Sequence, residues 1–360
     1  MKILHVFTNM NYVYNKAFID LFKRFDKYNQ DYLICDSKEN VYKFMHGYDN
    51  IQYLNSNSIR SQVFKISRIE KNYDYIIYHF LPNDPFIHLY YNIFSSKLNK
   101  VVWRIWGADL YNWRCNIALL NLIRERTRKK IPYVAIQNVD ISEYKKQFGN
   151  TATLLPCLDS RGYTAEKLKN NFCVKDDNYI YILVGHSAVE SDNHEIVLKN
   201  LSRFKDKKIR IVLPLNYGNP SYRNFVIDLA HSLFNDDQLM IITERMELDD
   251  YIALLWKCDI SVFHVFRQIA EGNIIMLMYM RKKIYIPSDS VLDSYYRIEN
   301  GLEIHDSTLL DSIDFDELIK QESYENNYLF AEHNIDPNTV VDDWDKVFKR
   351  LKNELEKEIE

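Results

Sequence analysis

Long hydrophobic runs are absent from this 360-residue sequence, and cysteine and glycine are both scarce. The longest helix-like apolar run is 274–280, far below the ~18 residues that a membrane-spanning helix needs. The five cysteines are at least 16 residues apart, so neither a CxxC pair nor a disulfide framework is expected. The first residues enter a strand pattern without the apolar segment and cleavage site of a signal peptide. We therefore expect a soluble, cytoplasmic protein.

Motifs for nucleotides and metals are missing as well. No GxGxxG follows the first predicted strand and no GxxxxGK[ST] occurs, which disfavours dinucleotide and Walker-type nucleotide binding. One Asp-x-Asp is present, at Asp343 and Asp345, but it lies in a helical pattern. Residues two apart on a helix point about 200° away from each other. We therefore predict no metal site.

The pattern that is present alternates short β-branched and aromatic runs with helical apolar spacing, which is typical of βα units around parallel sheets. Apolar residues make up 47% of the chain, which excludes a disordered protein. The predicted strands are 2–8, 32–36, 74–79, 100–106 and 133–137, then 179–185, 209–214, 239–243, 259–263 and 283–287. The polar segment 158–178 separates the two sets. We predict an α/β protein of two Rossmann-like domains, 1–165 and 166–360. The amphipathic last helix, 341–360, is a candidate to pack back on the first domain.

Charge differs sharply between the two halves. Residues 1–170 contain 25 Lys and Arg against 15 Asp and Glu, whereas residues 171–360 contain 21 against 35. A basic half indicates an anionic partner surface. The basic residues Arg114, Arg124, Arg126, Arg128, Lys129 and Lys130 alternate with leucine and isoleucine, which suits a helix on anionic lipid headgroups. A solvated helix face is the alternative, and the absence of a nucleic-acid-binding motif disfavours DNA or RNA.

Glycines mark several predicted strand ends. Only 8 residues of 360 are glycine, about 2% against an average of about 7%. Gly107, Gly185, Gly218 and Gly272 lie after strands or before helices, where a missing Cβ lets main-chain N–H groups approach an anion. The second half therefore has a candidate phosphate site, whose predicted members are Gly185, His186, Ser187, His194, Tyr217, Gly218, His264, Arg267, Gln268, Gly272 and Asn273. Glu244, which follows another strand, is predicted to contact a ribose. Tight turns and helix caps are the alternative reading of the glycines.

The first half contains three candidate general bases. Asp109 follows the strand that holds Trp103 and Trp106, and a carboxylate in such apolar surroundings has a raised pKa and can accept a proton. The alternative is that Asp109 caps the next helix. His5 and His79, at neighbouring strand ends, are rival bases or structural histidines.

Four segments together resemble one known family. They are 103–111 (WRIWGADLY), 183–187 (LVGHS) with His194, 214–218 (PLNYG), and 267–268 (RQ) with 272–274 (GNI). They resemble glycosyltransferase family 56, the TDP-N-acetylfucosamine:lipid II N-acetylfucosaminyltransferases. The similarity extends from His5 and Asn15 through His79 to 251–255 (YIALL).

The resemblance implies a GT-B fold, with two Rossmann-like domains facing a cleft, the sugar donor on the second domain and the acceptor on the first. It implies metal-independent transfer of a (4-acetamido-4-deoxy)fucose-type sugar from a dTDP-linked donor. The implied acceptor is a polyprenyl-diphosphate-linked oligosaccharide of O-antigen or enterobacterial common antigen synthesis. The enzyme would lie on the cytoplasmic face of the inner membrane and need no cofactor.

The sequence departs from the family pattern at His186 and Asp192, where the family usually has Asn, and at Glu271, where a small or apolar residue is usual. These departures fall in the predicted donor site. A non-catalytic nucleotide-sugar-binding component and a Rossmann-type oxidoreductase or epimerase are the competing functions.

Overall fold

The structure is a computed structural model that describes residues 1–8, 12–45, 47–48, 50–53, 59–175 and 177–357. The chain divides into two compact units. The first comprises Met1–Gly162 with Pro337–Glu360, and the second comprises Tyr163–Asp336. The division thus lies three residues before the predicted boundary at 165. The last helix belongs to the first unit, whereas the predicted second domain extended to residue 360.

Each unit is built on one parallel sheet. The strands of the first are β1 (Lys2–Phe7), β2 (Asn29–Ile34), β3 (Ile51–Tyr53), β4 (Tyr75–His79), β5 (Val101–Arg104), β6 (Tyr133–Ile136) and β7 (Thr153–Pro156). Those of the second are β8 (Ile180–Val184), β9 (Ile209–Pro214), β10 (Leu239–Ile242), β11 (Ile260–Val262), β12 (Lys283–Ile286) and β13 (His305–Asp306). Every strand pairing in both sheets is parallel among the described residues.

The helices connect these strands. They are α1 (Tyr12–Phe22), α2 (Lys38–Phe44), α3 (Ile59–Ile69), α4 (Pro85–Ile93), α5 (Ala108–Tyr111), α6 (Ala118–Lys130), α7 (Ile141–Phe148), α8 (Ala165–Asn170), α9 (His194–Leu201), α10 (Pro220–Leu233), α11 (Leu248–Lys257), α12 (Glu271–Tyr279), α13 (Val291–Asp293), α14 (Phe315–Ile319), α15 (Glu325–Ile335) and α16 (Pro337–Lys357). Local chemistry fixes several starts. Asp84 and Asn219 accept main-chain N–H bonds as N-caps of α4 and α10, and each is followed by a proline at the first helical position.

Strand order explains where a ligand can bind in each unit. The sheets have the orders β3-β2-β1-β4-β5-β6-β7 and β10-β9-β8-β11-β12-β13. The order reverses between β1 and β4 in the first sheet, and between β8 and β11 in the second. In open parallel sheets, ligands bind at the carboxyl ends of the strands beside such a reversal. The loops after β8 and β11 therefore share one candidate site.

All ten predicted strands are present, and the predicted α/β architecture of two Rossmann-like domains is confirmed. Three further strands, β3, β7 and β13, were not predicted. Each lies at an edge of its sheet and is two to four residues long. Most of the residues in these three strands are only half-buried. An edge strand covers less core than a central one, so its sequence has no long buried apolar run to detect.

The last helix, α16, completes the core of the first unit. Its buried stripe consists of Val340, Trp344, Val347, Phe348 and Leu351, which pack in the same cluster as β1, β2 and β4. The indole of Trp344 donates to the Leu158 carbonyl over 3.1 Å, and the Tyr75 hydroxyl donates to the Leu351 carbonyl over 2.9 Å. The two carboxylates of the Asp-x-Asp form separate ion pairs. Asp343 pairs with Lys346, and Asp345 pairs with Lys27 and Lys349.

Within the described part of the chain, the helices are too short or too polar to cross a bilayer.

Replacing Trp344 with alanine should strongly destabilise the first unit, because it removes a fully buried indole and leaves a cavity. We expect Trp344→Ala to lower the free energy of unfolding by about 3–5 kcal/mol, measured by chemical denaturation followed by circular dichroism. Asn353→Ala, at an exposed position of the same helix, is the control and should change it by about 0.5 kcal/mol or less. Equal effects of the two substitutions would show that α16 is not part of this core.

Candidate active site

The turn after β8 requires glycine at position 185. Gly185 has φ +67°, in the left-handed region that side chains disfavour. A Cβ at this position would lie 2.5 Å from His194 Nε2 and 2.9 Å from Asp192 Oδ2. The absence of a side chain therefore lets the chain turn closely over two buried polar groups.

The Asp192 carboxylate organises this loop. It is fully buried, and its Oδ2 accepts hydrogen bonds from the main-chain N–H groups of His186, over 2.9 Å, and Ser187, over 3.1 Å. His186 Nδ1 also lies 2.9 Å from the same oxygen. We expected the main-chain N–H groups of this turn to face a diphosphate. That expectation is wrong for His186 and Ser187, because a carboxylate of the chain itself already takes both donors.

The side chain of His186 is buried beside Asp192. Its Nε2 lies 3.2 Å from the Ser187 hydroxyl. The ring stacks edge-on with Tyr217 at 5.9 Å, and the Tyr217 side chain is exposed. Tyr217 lies in the loop after β9, and its exposed ring is placed to contact a ligand beside His186.

His194, the first residue of α9, and Gly218, in the loop after β9, have structural roles beside this loop. His194 is fully buried, and this burial lowers its pKa to about 4, so the ring is neutral at neutral pH. Gly218 has φ +114°, and a Cβ there would lie 2.3 Å from the Ala188 carbonyl oxygen. Ala188 in turn accepts a hydrogen bond from Asn219 N over 2.7 Å. The alternative reading of tight turns is therefore correct for Gly218.

The loop after β11 is bonded to the loop after β8. The Asn193 side chain donates to the His264 carbonyl oxygen over 2.8 Å, and His264 Nδ1 lies 2.9 Å from the Ser307 hydroxyl. Burial lowers the pKa of His264 below its ordinary value. The two loops on either side of the strand-order reversal therefore form one hydrogen-bonded surface.

The helix α12 begins immediately after this loop. Ala270, at φ +61°, is its N-cap, and Gln268 donates to the Glu271 carboxylate over 2.8 Å. A Cβ added at Gly272 would meet no atom within 4 Å, so the first turn of the helix is open on that side. Arg267 lies in the loop just before this turn and is partly exposed. This arrangement brings a cation and a helix N-terminus to the same strand end.

Two predicted donor-site residues have different positions. Asn273, in the first turn of α12, forms a hydrogen bond with Tyr251 on α11, so its side chain ties two helices together. Glu244 is exposed and follows β10, the edge strand two positions away from β8. The strand order therefore does not bring Glu244 to the reversal with the other predicted residues.

In the first unit, Asp109 is fully buried in the first turn of α5. Its carboxylate accepts three hydrogen bonds, from Leu81 N over 2.9 Å, Trp106 N over 2.9 Å and Trp103 Nε1 over 2.6 Å. Burial raises the pKa of Asp109, while these hydrogen bonds oppose the rise. These contacts join the ends of β4 and β5. The N-cap of α5 is Gly107, without a side-chain cap bond, so the alternative that Asp109 caps this helix is wrong.

His5 and His79 form one buried pair. His5 Nδ1 lies 3.0 Å from His79 Nε2, and His5 Nε2 lies 3.0 Å from Gln30 Oε1. Burial lowers the pKa of His5 to about 3 and that of His79 well below its ordinary range. Both rings are therefore neutral at neutral pH, and both are enclosed by aromatic side chains such as Phe7 and Phe22. These contacts support the structural reading.

Sequence reasoning missed an ion pair at the same edge of the first sheet. Arg104, fully buried at the end of β5, pairs with Asp159, which follows β7 and is partly exposed. Gln137, after β6, donates to the same carboxylate over 2.7 Å. An arginine at the end of an otherwise apolar strand was the available signal. Asp192 was noted in the sequence as a departure from the family pattern, but its role as the buried acceptor of this turn was not predicted.

Two of the arginines assigned to a lipid-facing helix point inward. Arg124 donates to the carbonyl oxygens of Asn83 and Trp113, and Arg128 donates to the Asn83 side chain. Both are buried, and burial lowers the pKa of Arg128 to about 9. The predicted lipid contact is therefore wrong for these two residues. Among the described residues, no three His, Cys, Asp or Glu side chains are grouped to hold a metal ion.

Solved glycosyltransferase structures share this architecture. HepE of Anabaena matches with 11% identity and a TM-score of 0.70, over 97% of this chain and all of its own. A glycosyltransferase of Rickettsia africae matches with 14% identity and a TM-score of 0.68, over 97% of this chain and 98% of its own. Sucrose-phosphate synthase of Thermosynechococcus elongatus matches with 8% identity and a TM-score of 0.70, over 98% of this chain and all of its own. At these identities the likeness shows the fold, which is GT-B as the resemblance implied.

The sequence itself identifies the family. Residues 2–290 match the family described as 4-alpha-L-fucosyltransferase, glycosyl transferase group 56. That range includes both loops at the strand-order reversal of the second sheet, and most of each unit. The chain therefore belongs to glycosyltransferase group 56 and is a glycosyltransferase of the GT-B fold.

Proposed function

We propose that the second unit binds a dTDP-linked (4-acetamido-4-deoxy)fucose-type donor and that the enzyme transfers this sugar to a polyprenyl-diphosphate-linked oligosaccharide. The supporting observation is the meeting of Arg267, the first turn of α12 and the His186 loop at one strand-order reversal. The family supports a fucose-type sugar. HepE of Anabaena, which has the same fold, was crystallised with UDP and with UDP-glucose, which supports a nucleotide-sugar donor.

The diphosphate of the donor would lie against α12. Main-chain N–H groups of a first helical turn point out of the helix and carry a partial positive charge, which favours an anion. Arg267, in the loop just before this turn, adds a full charge that suits a bidentate phosphate contact. His186 Nε2 and the exposed Tyr217 would contact the donor from the loops after β8 and β9.

Transfer would not need a metal ion in this arrangement. As the sugar leaves, negative charge grows on the nucleotide diphosphate, and fixed donors aimed at that charge stabilise it. Arg267 and the α12 N-terminus are such donors. Metal independence is thus part of the proposal, as is the absence of a cofactor.

The first unit would bind the acceptor. A lipid-linked acceptor places the enzyme at the cytoplasmic face of the inner membrane, in O-antigen or enterobacterial common antigen synthesis. The net positive charge of the first half suits an anionic membrane surface. Removal of the acceptor proton by Asp109, with His5 and His79 as alternatives, stays a prediction. The burial of all three side chains favours structural roles for them.

Replacing Arg267 with alanine should weaken the binding of dTDP by about 1.5–3 kcal/mol, roughly 10- to 150-fold in Kd, because a charge-assisted contact is lost. Isothermal titration calorimetry measures this directly. Arg281→Ala is the matched control, since Arg281 follows the opposite end of α12 and pairs with Glu325. If Arg267→Ala leaves the Kd for dTDP unchanged, the diphosphate does not contact Arg267.

Chelation separates the proposed charge stabilisation from metal catalysis. Transfer by the purified enzyme should continue at an undiminished rate in excess EDTA, measured as release of dTDP. A rate that falls on chelation and returns on addition of Mg²⁺ would contradict the metal-independent mechanism.

Asp109→Asn distinguishes the two roles of this carboxylate. The asparagine side chain has one acceptor oxygen where aspartate has two, and its NH₂ group cannot accept a hydrogen bond. At least one of the buried N–H groups of Leu81, Trp103 and Trp106 would therefore lose its acceptor. We expect a loss of about 1–3 kcal/mol in the free energy of unfolding, measured by chemical denaturation. A variant of unchanged stability that binds dTDP but transfers no sugar would instead identify Asp109 as the base.

A further inference from the structure

Two neighbouring helices of the first unit expose large apolar side chains to water. The exposed residues are Phe86, Leu89, Ile93 and Phe94 on and after α4, and Ile117, Leu119 and Leu122 at the start of α6. Leu119, Leu122 and Ile93 are 65%, 64% and 63% exposed. The helices pack side by side, since the Asn92 side chain donates to the Ile123 carbonyl and the Thr127 hydroxyl. We call these seven residues the apolar face.

The inner sides of the same helices are fully engaged. Ile87 and Tyr91 of α4 lie in the core, and Arg124, Thr127 and Arg128 of α6 are buried and hydrogen-bonded. The apolar face is therefore not a core surface left uncovered by poor packing. Single exposed apolar residues are ordinary, but a group of seven on adjacent helices is typical of an interaction site.

Basic residues outnumber acidic ones in the segment that carries the apolar face. Residues 83–131 contain nine Lys and Arg against three Asp and Glu. Of these, Arg104, Arg124, Arg128 and Asp109 are buried. The charges that remain at least partly exposed are Lys97, Lys100, Arg114, Arg126, Lys129 and Lys130, against Asp84 and Glu125. Lys97 pairs with Glu70 and Lys129 pairs with Glu125. The whole first unit has 28 basic residues against 21 acidic ones, whereas the second has 18 against 29.

We propose that the apolar face inserts among the headgroups of an anionic lipid bilayer, with exposed basic residues of α6 such as Arg126 and Lys130 contacting lipid phosphates. The proposal rests on the proposed function, since a lipid-linked acceptor lies in such a bilayer. Leucine, isoleucine and phenylalanine beside lysine and arginine supply both apolar burial and attraction to anionic lipid. A second copy of the chain is a poorer occupant, because two such faces packed together would oppose like charges.

Vesicle sedimentation with substitutions in the apolar face tests the proposal. We expect the full chain to sediment with vesicles of equal parts phosphatidylglycerol and phosphatidylcholine. Leu119→Ser combined with Leu122→Ser should reduce the partition constant about tenfold or more, because two inserted apolar side chains are lost. The matched control is Ile298→Ser with Leu329→Ser, which removes two similarly exposed residues from the second unit and should leave sedimentation unchanged.

Charge reversal tests the electrostatic part. Arg126→Glu with Lys130→Glu should abolish most binding to these vesicles, and high salt should weaken the binding of the unchanged chain. Lys205→Glu with Lys208→Glu, at exposed positions of the second unit, is the charge-matched control. Vesicles of phosphatidylcholine alone should bind the unchanged chain more weakly.

Three results would overturn the inference. They are no sedimentation of the unchanged chain with anionic vesicles, equal losses in the serine variants and their control, and a dimer that the Leu119 and Leu122 substitutions dissociate without changing vesicle binding. Calorimetric titration of dTDP into each variant separates this inference from the proposed function. If the unchanged chain binds dTDP but not vesicles, only the membrane contact of the apolar face is refuted. If the unchanged chain does not bind dTDP, the proposed donor site is refuted.

Discussion

The buried carboxylate of Asp192 determines the shape of the candidate donor site. A charge removed from water costs several kcal/mol unless nearby donors compensate for it. Here the donors are two consecutive main-chain N–H groups directly after β8. To present both N–H groups to one oxygen, the chain must turn at Gly185, where only glycine fits. Asn193, which follows Asp192, adopts a left-handed conformation. Its side chain donates a hydrogen bond to the His264 carbonyl oxygen in the loop after β11. One charge thus fixes two loops.

The sequence was sufficient for the architecture because central strands of parallel sheets are buried on both faces and show as apolar runs. The strands β4 and β8 are examples. The edge strands β3, β7 and β13 could not be found in this way, because part of each strand faces solvent. The helix α16 was recognisable from its apolar stripe, but its membership in the first unit depends on contacts with residues more than 150 positions away, such as Leu158 and Tyr75.

Site prediction was more limited, for a physical reason. Strand topology predicts which residues arrive at the same edge, so the convergence of the His186 loop, Arg267 and α12 followed from the pattern. It does not predict which polar atoms are already bonded within the chain. Asp109, His5, His79 and His194 all have suitable chemistry in isolation, but each is buried among partners that the sequence does not reveal. The side-chain amide of Gln30, for example, donates to the carbonyl oxygens of Phe22 and Phe25 and so presents its oxygen to His5.

The return of α16 to the first unit affects how the protein can be synthesised. The residues that complete the core around β1 and β2 follow the whole second unit in the sequence. A ribosome therefore releases Phe18, Phe22 and Phe25 long before it releases Trp344 and Phe348, against which they pack. Until α16 is made, the first unit therefore keeps these aromatic side chains uncovered, and transiently exposed apolar surface of this kind favours aggregation during folding.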